Sequence, residues 1–179
     1  MRRASAAILV AALLLVGCDR PAPGDADTSI DAGNPLEVAA RERGIVRPEA
    51  VVPTGVFERA HDLGRDAMCV VPDGAGQWRF VLTAAFGPGL SCTANGQITR
   101  DGGGWRMRFG VAEGCEAVVH EEEDELRLPG ILPDQCDSVC PGRASLAGLR
   151  LPRASWSEAD AKRLQMRGRD GNIIRPCGA

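Results

Sequence analysis

The chain has 179 residues, 44% of them hydrophobic, and a formal net charge of −3, which allows one ordinary domain with appended segments. Aromatic residues make up only 4% and tyrosine is absent, so a core must rely mainly on aliphatic side chains. The sequence contains no cluster of basic residues, so we expect no nucleic-acid partner. Seven cysteines are many for a cytosolic protein without a metal motif, and they favour an oxidising compartment.

The first residues have the order of charge and hydrophobicity that is typical of a secretory signal. Arg2 and Arg3 precede an apolar run over residues 6–16. This run is shorter than the ~20 residues that a membrane-spanning helix needs. We therefore predict a signal peptide over residues 1–17, exported by the general secretion pathway.

The apolar run ends in LLVGC, Leu14 to Cys18, which resembles the lipobox of bacterial lipoproteins. The resemblance implies that Cys18 is diacylglycerylated, that signal peptidase II cleaves before it, and that palmitate or similar acyl chains anchor the mature protein in a membrane. The alternative is a cleaved signal with an unmodified Cys18. Asp19 resembles the inner-membrane retention signal of enterobacterial lipoproteins, but the sequence leaves inner and outer membrane open.

The segments after the lipobox differ sharply in composition. Residues 18–33 consist largely of Pro, Gly, Ala and Asp and predict a flexible tether that carries the lipidated Cys18. Residues 34–52 predict a short helix and a lead-in, because Asn34 can cap a helix that Gly44 can end. Residues 53–179 then form a disulfide-containing β-domain.

Alternating hydrophobic and polar residues predict that this domain is mainly β. In WRMRF, for example, Trp105, Met107 and Phe109 are expected to point inward between outward arginines. We predict an antiparallel meander that closes into a small barrel or a curled sheet, with two or three short helices. The expected strands are GVFERA, MCVVP, QWRFVLTAAF, LSCTANGQITR, WRMRF, CEAVVH and ELRL.

The remaining third of the domain mixes helices and strands. A short helix is expected from Pro133 through Cys140, followed by a strand over RASLAGLRL. A second helix is expected from Ser157 to Gly168, because Ser157 and Asp160 form a capping box and Gly168 suits the C-terminal cap.

Apart from Cys18, an even number of cysteines remains, which implies up to three disulfides. Cys136 and Cys140 would lie one helical turn apart, too far for a mutual bond, so they should take different partners. The acidic hairpin EEED brings Cys115 back towards the helix, which favours Cys115–Cys136. Cys69–Cys92 and Cys140–Cys177 are then the remaining pairs. The six candidates are Cys69, Cys92, Cys115, Cys136, Cys140 and Cys177.

No motif points to catalysis, a metal or a cofactor, and we predict a protein that is not an enzyme. HEEEDE is similar to the zinc motif H-E-x-x-H, but Asp124 stands where the second histidine would be, and the segment predicts a solvated hairpin tip. Trp78 and Trp105 lie on apolar strand faces, where they either belong to the core or line a ligand cavity.

The runs CVVPDG, RFVL and FGPGLSC, together with LPGILPDQCDSVCPGRASLAGL, resemble small envelope lipoproteins of proteobacteria with no assigned activity. Small lysozyme-inhibitor lipoproteins are similar in plan, but their Lys- and Tyr-containing loop has no counterpart here. These resemblances imply a lipid-anchored protein of the cell envelope that faces the periplasm. The expected function is a non-catalytic module that binds an envelope protein or a small ligand. The alternatives are a structural or assembly lipoprotein and an unrecognised hydrolase.

Overall fold

The structure, a computed structural model, describes residues 35–43, 52–110, 112–168 and 171–178. Eight antiparallel strands pair in sequence order and close into a barrel through hydrogen bonds between the first and the last. The expected mainly β fold and its closure as a meander are confirmed. The strands are β1 (Gly55–His61), β2 (Gly64–Pro72), β3 (Gln77–Ala85), β4 (Ser91–Asp101), β5 (Gly104–Phe109), β6 (Glu116–Glu122), β7 (Glu125–Arg127) and β8 (Arg150–Ser155).

A short helix, α1 (Pro35–Glu42), precedes the barrel and lies within the range expected from the sequence. Proline suits its first position, where the missing N–H has no helical acceptor. No helix among the described residues has the length and apolar character needed to cross a bilayer. The expected signal peptide, Cys18 and the tether all lie outside the described residues.

Side chains fill the inside of the barrel. Trp105, Met107 and Phe109 are buried, as their alternation with arginines predicts. Phe80 and Phe109 meet edge to face, with ring centroids 5.4 Å apart. All eight strands contribute buried side chains to this cluster, including Leu126 of β7 and Leu151 of β8. The inside of the barrel is therefore a packed apolar core.

The two ends of the barrel are built differently, because strand direction alternates. The turns after β1, β3 and β5 lie at one end together with residues 128–149, which join β7 to β8. We call these residues the crossover segment and this end the crossover end. The tight turns after β2, β4 and β6 lie at the opposite end, the turn end, where the chain also enters β1.

The crossover segment covers the core at its own end. Its helix is a single 3-10 turn, Asp134–Ser138, shorter than the helix expected through Cys140. The strand expected over RASLAGLRL is wrong except for its last two residues, because β8 begins only at Arg150. Gly148 adopts a positive φ of 70° and donates its N–H to the Pro129 carbonyl, so the chain turns there. Leu146 and Leu149 pack on the core instead of entering a strand.

The C-terminal segment (residues 156–168 and 171–178) covers the outer wall of the barrel. Ser157 caps the helix α2 (Glu158–Arg163) by accepting the Asp160 N–H, as the capping box predicts. The helix ends before the expected Gly168, because Leu164 leaves helical geometry and packs on the wall. The next residues instead form a two-stranded sheet of β9 (Met166–Arg167) and β10 (Ile173–Ile174).

This covering explains why β2 lacks alternation. Its residues from Asp66 to Val71 are all buried. Met68 and Val70 face the core of the barrel, whereas Cys69 and Val71 face the C-terminal segment. A strand that is buried on both faces gives a continuous apolar run in sequence.

Three disulfides tie these segments to the barrel, and one of the expected pairs, Cys115–Cys136, is confirmed. The other two expected pairs are wrong, because the bonds are Cys69–Cys177 and Cys92–Cys140. Strand β3 separates β2 from β4, and the Cys69 side chain faces the outer wall whereas that of Cys92 faces the core. Cys69 therefore bonds the C-terminal segment, and Cys92 bonds the crossover segment.

The seam between β1 and β8 closes the barrel, and an irregularity in register lies between Val56 and Phe57. Gly55 stands at this seam with a φ of 135°. A Cβ atom there would lie 2.0 Å from the Ser155 carbonyl oxygen, so only glycine allows the two strands to approach.

Candidate functional site

A cleft lies on the rim of the crossover end, and we call it the rim cleft. It has a volume of about 630 Å³. The turn after β1 forms one side, the turn after β3 forms another, and β9 and β10 form the third. Its lining combines apolar side chains, glycines and a few polar groups: Leu63, Gly64, Arg65, Ala67, Thr83, Ala85, Gly87, Gly89, Leu90, Ser91, Gln165, Met166, Arg167, Gly168, Gly171 and Ile173.

The turn after β1 holds an exposed leucine in the rim cleft. His61 pairs with Gly64, so Asp62 and Leu63 form a two-residue turn. The Leu63 N–H donates to His61 Nδ1 at 3.3 Å. Because this hydrogen bond fixes the main chain of the turn, the Leu63 side chain stands out from the rim with 56% of its surface exposed.

The turn after β3 leaves its main chain open to the cleft. Phe86 and Leu90 close it, since the Phe86 N–H donates to the Leu90 carbonyl at 2.9 Å. Gly87 and Gly89 adopt positive φ values of 124° and 72°. A Cβ atom at either glycine would have no neighbour within 4 Å, so the space beside their main chain is open.

A buried aspartate joins these two turns. Asp66 accepts hydrogen bonds from Arg59 at 2.6 Å, from the Ala85 N–H at 2.9 Å and, on the same oxygen as Ala85, from His61 Nε2 at 3.0 Å. Burial alone would raise the pKa of Asp66, but the hydrogen bonds from His61, Ala85 and Arg59 outweigh it, and the pKa is lowered. The carboxylate therefore stays charged and holds β1, β2 and β3 together beneath the rim.

The imidazole of His61 makes hydrogen bonds within this network through both of its ring nitrogens. Nδ1 accepts the Leu63 N–H while Nε2 faces the Asp66 carboxylate, which favours the tautomer with hydrogen on Nε2. Both ring nitrogens thus have a structural hydrogen-bond partner. The arrangement resembles an Asp–His dyad but offers no second nitrogen to a nucleophile.

Among the described residues that line the rim cleft, the charged side chains are Arg65 and Arg167, and none is a carboxylate. Arg65 pairs with Glu58 at 2.6 Å, outside the cleft, and donates to the Gln165 carbonyl. Arg167 donates to the uncharged Gly171 carbonyl at 2.9 Å. The cleft is therefore apolar with a positive border.

A second, smaller cleft adjoins the first across the turn after β3. It has a volume of about 390 Å³ and shares Gly89 and Ser91 with the rim cleft. Cys140 and its neighbours in the crossover segment form its other wall. The crossover end therefore presents two adjoining concave surfaces on one side of the barrel.

The turn end contains a buried ion pair that the sequence did not indicate. Arg153 binds Glu121 through two hydrogen bonds, Nε to Oε1 at 2.6 Å and Nη2 to Oε2 at 2.7 Å. The two side chains are only 1% and 2% exposed. The guanidinium lies 4.2 Å from the centroid of Phe57 and 3.7 Å from that of Trp156. The expectation of a solvated acidic tip thus fails for Glu121.

Arg153 also fixes the chain where it enters the barrel. Its Nη1 donates to the Thr54 carbonyl at 2.7 Å, and Nη2 donates to the Val52 carbonyl at 3.3 Å. One guanidinium therefore joins the lead-in to β1, the hairpin of β6 and the closing strand β8. Because the guanidinium hydrogen-bonds the Glu121 carboxylate and two main-chain carbonyls, it is suited to a structural role at the seam.

The two candidate tryptophans pack on each other. Trp78 and Trp105 meet edge to face with ring centroids 5.4 Å apart, and Arg100 lies 4.5 Å from the Trp105 centroid. Trp105 belongs to the core and Trp78 packs against it. Neither ring lines the two clefts at the crossover end.

The residues of the rim cleft belong to no motif that marks a site in the sequence. Leu63 is a large apolar residue within a short polar turn, and Ile173 directly follows one. An apolar residue in such a place is the sequence signal that could have identified these two residues. Within the described residues, no three His, Cys, Asp or Glu side chains are grouped so that they could hold a metal ion. Comparison with family models, with curated proteins and with solved structures gives no significant match.

Proposed function

We propose that this protein is a lipid-anchored lipoprotein of the bacterial cell envelope that faces the periplasm and binds another envelope protein without catalysis. The lipobox at Cys18 and the six other cysteines support the compartment and the anchor. The observation that carries the binding role is the distribution of exposed apolar side chains around the barrel.

Apart from Leu36 and Val38 of α1, the exposed large apolar side chains of the described residues lie at the crossover end. Leu63 and Ile173 border the rim cleft, Ile174 follows Ile173 in β10, and Ile131 belongs to the crossover segment. Ile131 is 89% exposed and Ile173 is 59% exposed. Apolar side chains that gather on one surface beside a concave site are typical of a docking surface.

The packed barrel favours a protein partner over an enclosed small ligand. Eight-stranded barrels that carry small molecules hold them inside, and here side chains occupy that space.

The anchor is tested by metabolic labelling with an alkyne fatty acid. Wild-type protein should be labelled and the Cys18→Ala variant should not, because the thiol is the acylated group. Equal labelling of the two proteins would rule out lipidation at Cys18.

The binding role is tested by site-specific photo-crosslinking of the anchored protein in cells. A photoreactive residue in place of Leu63 should give a discrete adduct with one envelope protein, identified by mass spectrometry. The same residue in place of Ala75, an exposed position in the turn after β2, is the control at the opposite end. Adducts of equal yield at both positions, or none at Leu63, would contradict a docking role for the crossover end.

A structural or assembly lipoprotein is the second candidate, and the covalent attachment of both covering segments supports it. It differs in its expected crosslinks. A scaffold should crosslink to several envelope components from many surfaces, whereas a binding module should crosslink to one partner from the crossover end.

A further inference from the structure

The rim cleft has an open strand edge beside it. Strand β10 pairs with β9, and the described residues contain no second strand on its other side. Ile173 contributes its side chain to the cleft and its main chain to this edge. An open edge with free N–H and C=O groups can accept an extended polypeptide as a further strand.

Glycines make the rest of the cleft accessible to a second main chain. Gly87, Gly89 and Gly171 line it, and a Cβ atom at any of the three would have no neighbour within 4 Å. Where side chains are absent, an incoming main chain can approach closely. This property suits a peptide, whereas an acyl chain would require apolar walls that enclose most of its surface.

The side chains of the cleft indicate what such a peptide would carry. Leu63, Leu90 and Ile173 provide an apolar lining from three different segments. Arg167 supplies positive charge, since among the described contacts it donates to an uncharged carbonyl, whereas Arg65 is paired with Glu58. Arginine binds carboxylates with paired hydrogen bonds.

We propose that the rim cleft binds an extended polypeptide segment that adds to the edge of β10, inserts an apolar side chain beside Leu63 and Ile173, and places a carboxylate against Arg167. This inference rests on the proposed function, and it specifies the chemistry of the partner.

The test is a selection of peptides from a phage-displayed random library on the full-length protein, purified in detergent. Selected peptides should combine an apolar residue with Asp or Glu and should compete with one another. Arg167→Glu should weaken their binding at least about tenfold, because it replaces a charge-assisted hydrogen bond by repulsion. Leu63→Asp should weaken it similarly.

Two matched variants separate the cleft from other exposed surfaces of the barrel. Arg143→Glu changes an exposed residue of the crossover segment, and Ala75→Asp changes an exposed residue at the turn end. Neither residue lines the cleft, so peptide binding should be unchanged. A peptide with Lys in place of its acidic residue should regain binding to the Arg167→Glu protein. Such an exchange of charges also shows that this variant is folded.

Several outcomes would overturn the inference. Selected peptides without a carboxylate, or equal binding to wild type and Arg167→Glu, would exclude the proposed recognition. Binding of laurate or of phosphatidylglycerol vesicles in place of any peptide would assign the cleft to lipid. Self-association that is lost in Leu63→Asp would assign it to a second copy of the chain. In each case a specific photo-crosslink from Leu63 to an envelope protein would leave the proposed function standing.

Discussion

The two ends of the barrel are closed by different chemistry. At the crossover end, residues 128–149 cover the core and are held by the disulfides Cys92–Cys140 and Cys115–Cys136. At the turn end, the core is closed by the Arg153–Glu121 ion pair between two aromatic rings. One end is therefore fixed by covalent bonds and the other by hydrogen bonds between buried charges.

This difference explains where a binding surface can form. A segment held by disulfides needs fewer apolar contacts of its own, so it can leave side chains such as Ile131 in solvent. A buried ion pair requires that every partner is in place, because an unpaired buried charge is strongly destabilising. The crossover end can thus vary and expose apolar surface, whereas the turn end is suited to closing the barrel and holding the incoming chain.

The largest expected effect is the loss of the disulfides. They close loops of 108, 48 and 21 residues. The loop-entropy model assigns such bonds roughly 4.8, 4.1 and 3.3 kcal/mol, and a domain has only ~5–15 kcal/mol of net stability. We therefore expect the reduced Cys18→Ala protein to be mostly unfolded at about 37 °C. Circular dichroism melts with and without reductant measure this effect. If reduction lowers the Tm by less than about 5 °C, packing alone is sufficient to stabilise the fold.

The second effect concerns the turn end. Arg153→Met should lower the free energy of unfolding by about 3–5 kcal/mol, because it leaves the Glu121 carboxylate buried and unpaired. The double variant Arg153→Met, Glu121→Leu should recover much of this loss. Arg163→Met is the matched control, since it breaks an exposed pair with Asp160 that should contribute at most about 1 kcal/mol. Urea titrations measure all three, and equal losses for Arg153→Met and Arg163→Met would refute the closing role of the pair.

Sequence patterns predicted the strands and the barrel well, because alternation and glycine turns are local signals. WRMRF and the capping box at Ser157 required no knowledge of distant residues. The disulfide partners could not be predicted in the same way, because they depend on which face of a strand each cysteine occupies. Cys69 lies in a run without alternation, and its orientation became clear only with the C-terminal segment on the outer wall.

The candidate site was less predictable than the fold for a related reason. Leu63, Gly89 and Ile173 are far apart in sequence and meet only when the barrel closes and the C-terminal segment packs on it. Glu121 belongs to an acidic run in which Glu122 and Glu123 are exposed, and its partner Arg153 lies 32 residues away. Single residues in polar runs therefore give no indication of burial.

The third effect is a pH dependence at the crossover end. The pKa of Asp66 is lowered in the folded state, although burial opposes this, because His61, Ala85 and Arg59 stabilise the charged form. A lowered folded pKa contributes stability above the ordinary value of about 3.9, and this contribution is lost as the pH falls through the folded pKa. Urea midpoints should thus decrease between about pH 4 and pH 2 more steeply for wild type than for Asp66→Asn.

A second carboxylate provides the control for this measurement. Hydrogen bonding to Arg108 lowers the pKa of Glu116, but that pair lies on the exposed face of the barrel. Solvent screens such pairs, so Glu116→Gln should change the acid dependence less than Asp66→Asn does. Identical profiles for wild type and Asp66→Asn would show that the network beneath the rim does not stabilise the crossover end.

The smallest expected effect lies in the two-residue turns of the turn end. The turn after β4 has Gly102 and Gly103, whereas the turn after β6 has Glu123 and Asp124 with φ values of 50° and 62°. Positive φ at both central positions is the geometry that Asn-Gly adopts with little strain. Replacing Glu123 and Asp124 by Asn and Gly should therefore raise the free energy of unfolding by about 1 kcal/mol.

The glycine turn provides the reverse test at the same end of the barrel. Gly102 has a φ of 55°, and a Cβ atom there would have no neighbour within 4 Å, so Gly102→Ala adds strain in the main chain without a steric clash. It should lower stability by about 1 kcal/mol. Urea unfolding of both variants gives the two values with opposite signs. A loss of stability in the Asn-Gly variant would instead mean that Glu123 or Asp124 makes side-chain contacts at this turn that outweigh its strained main chain.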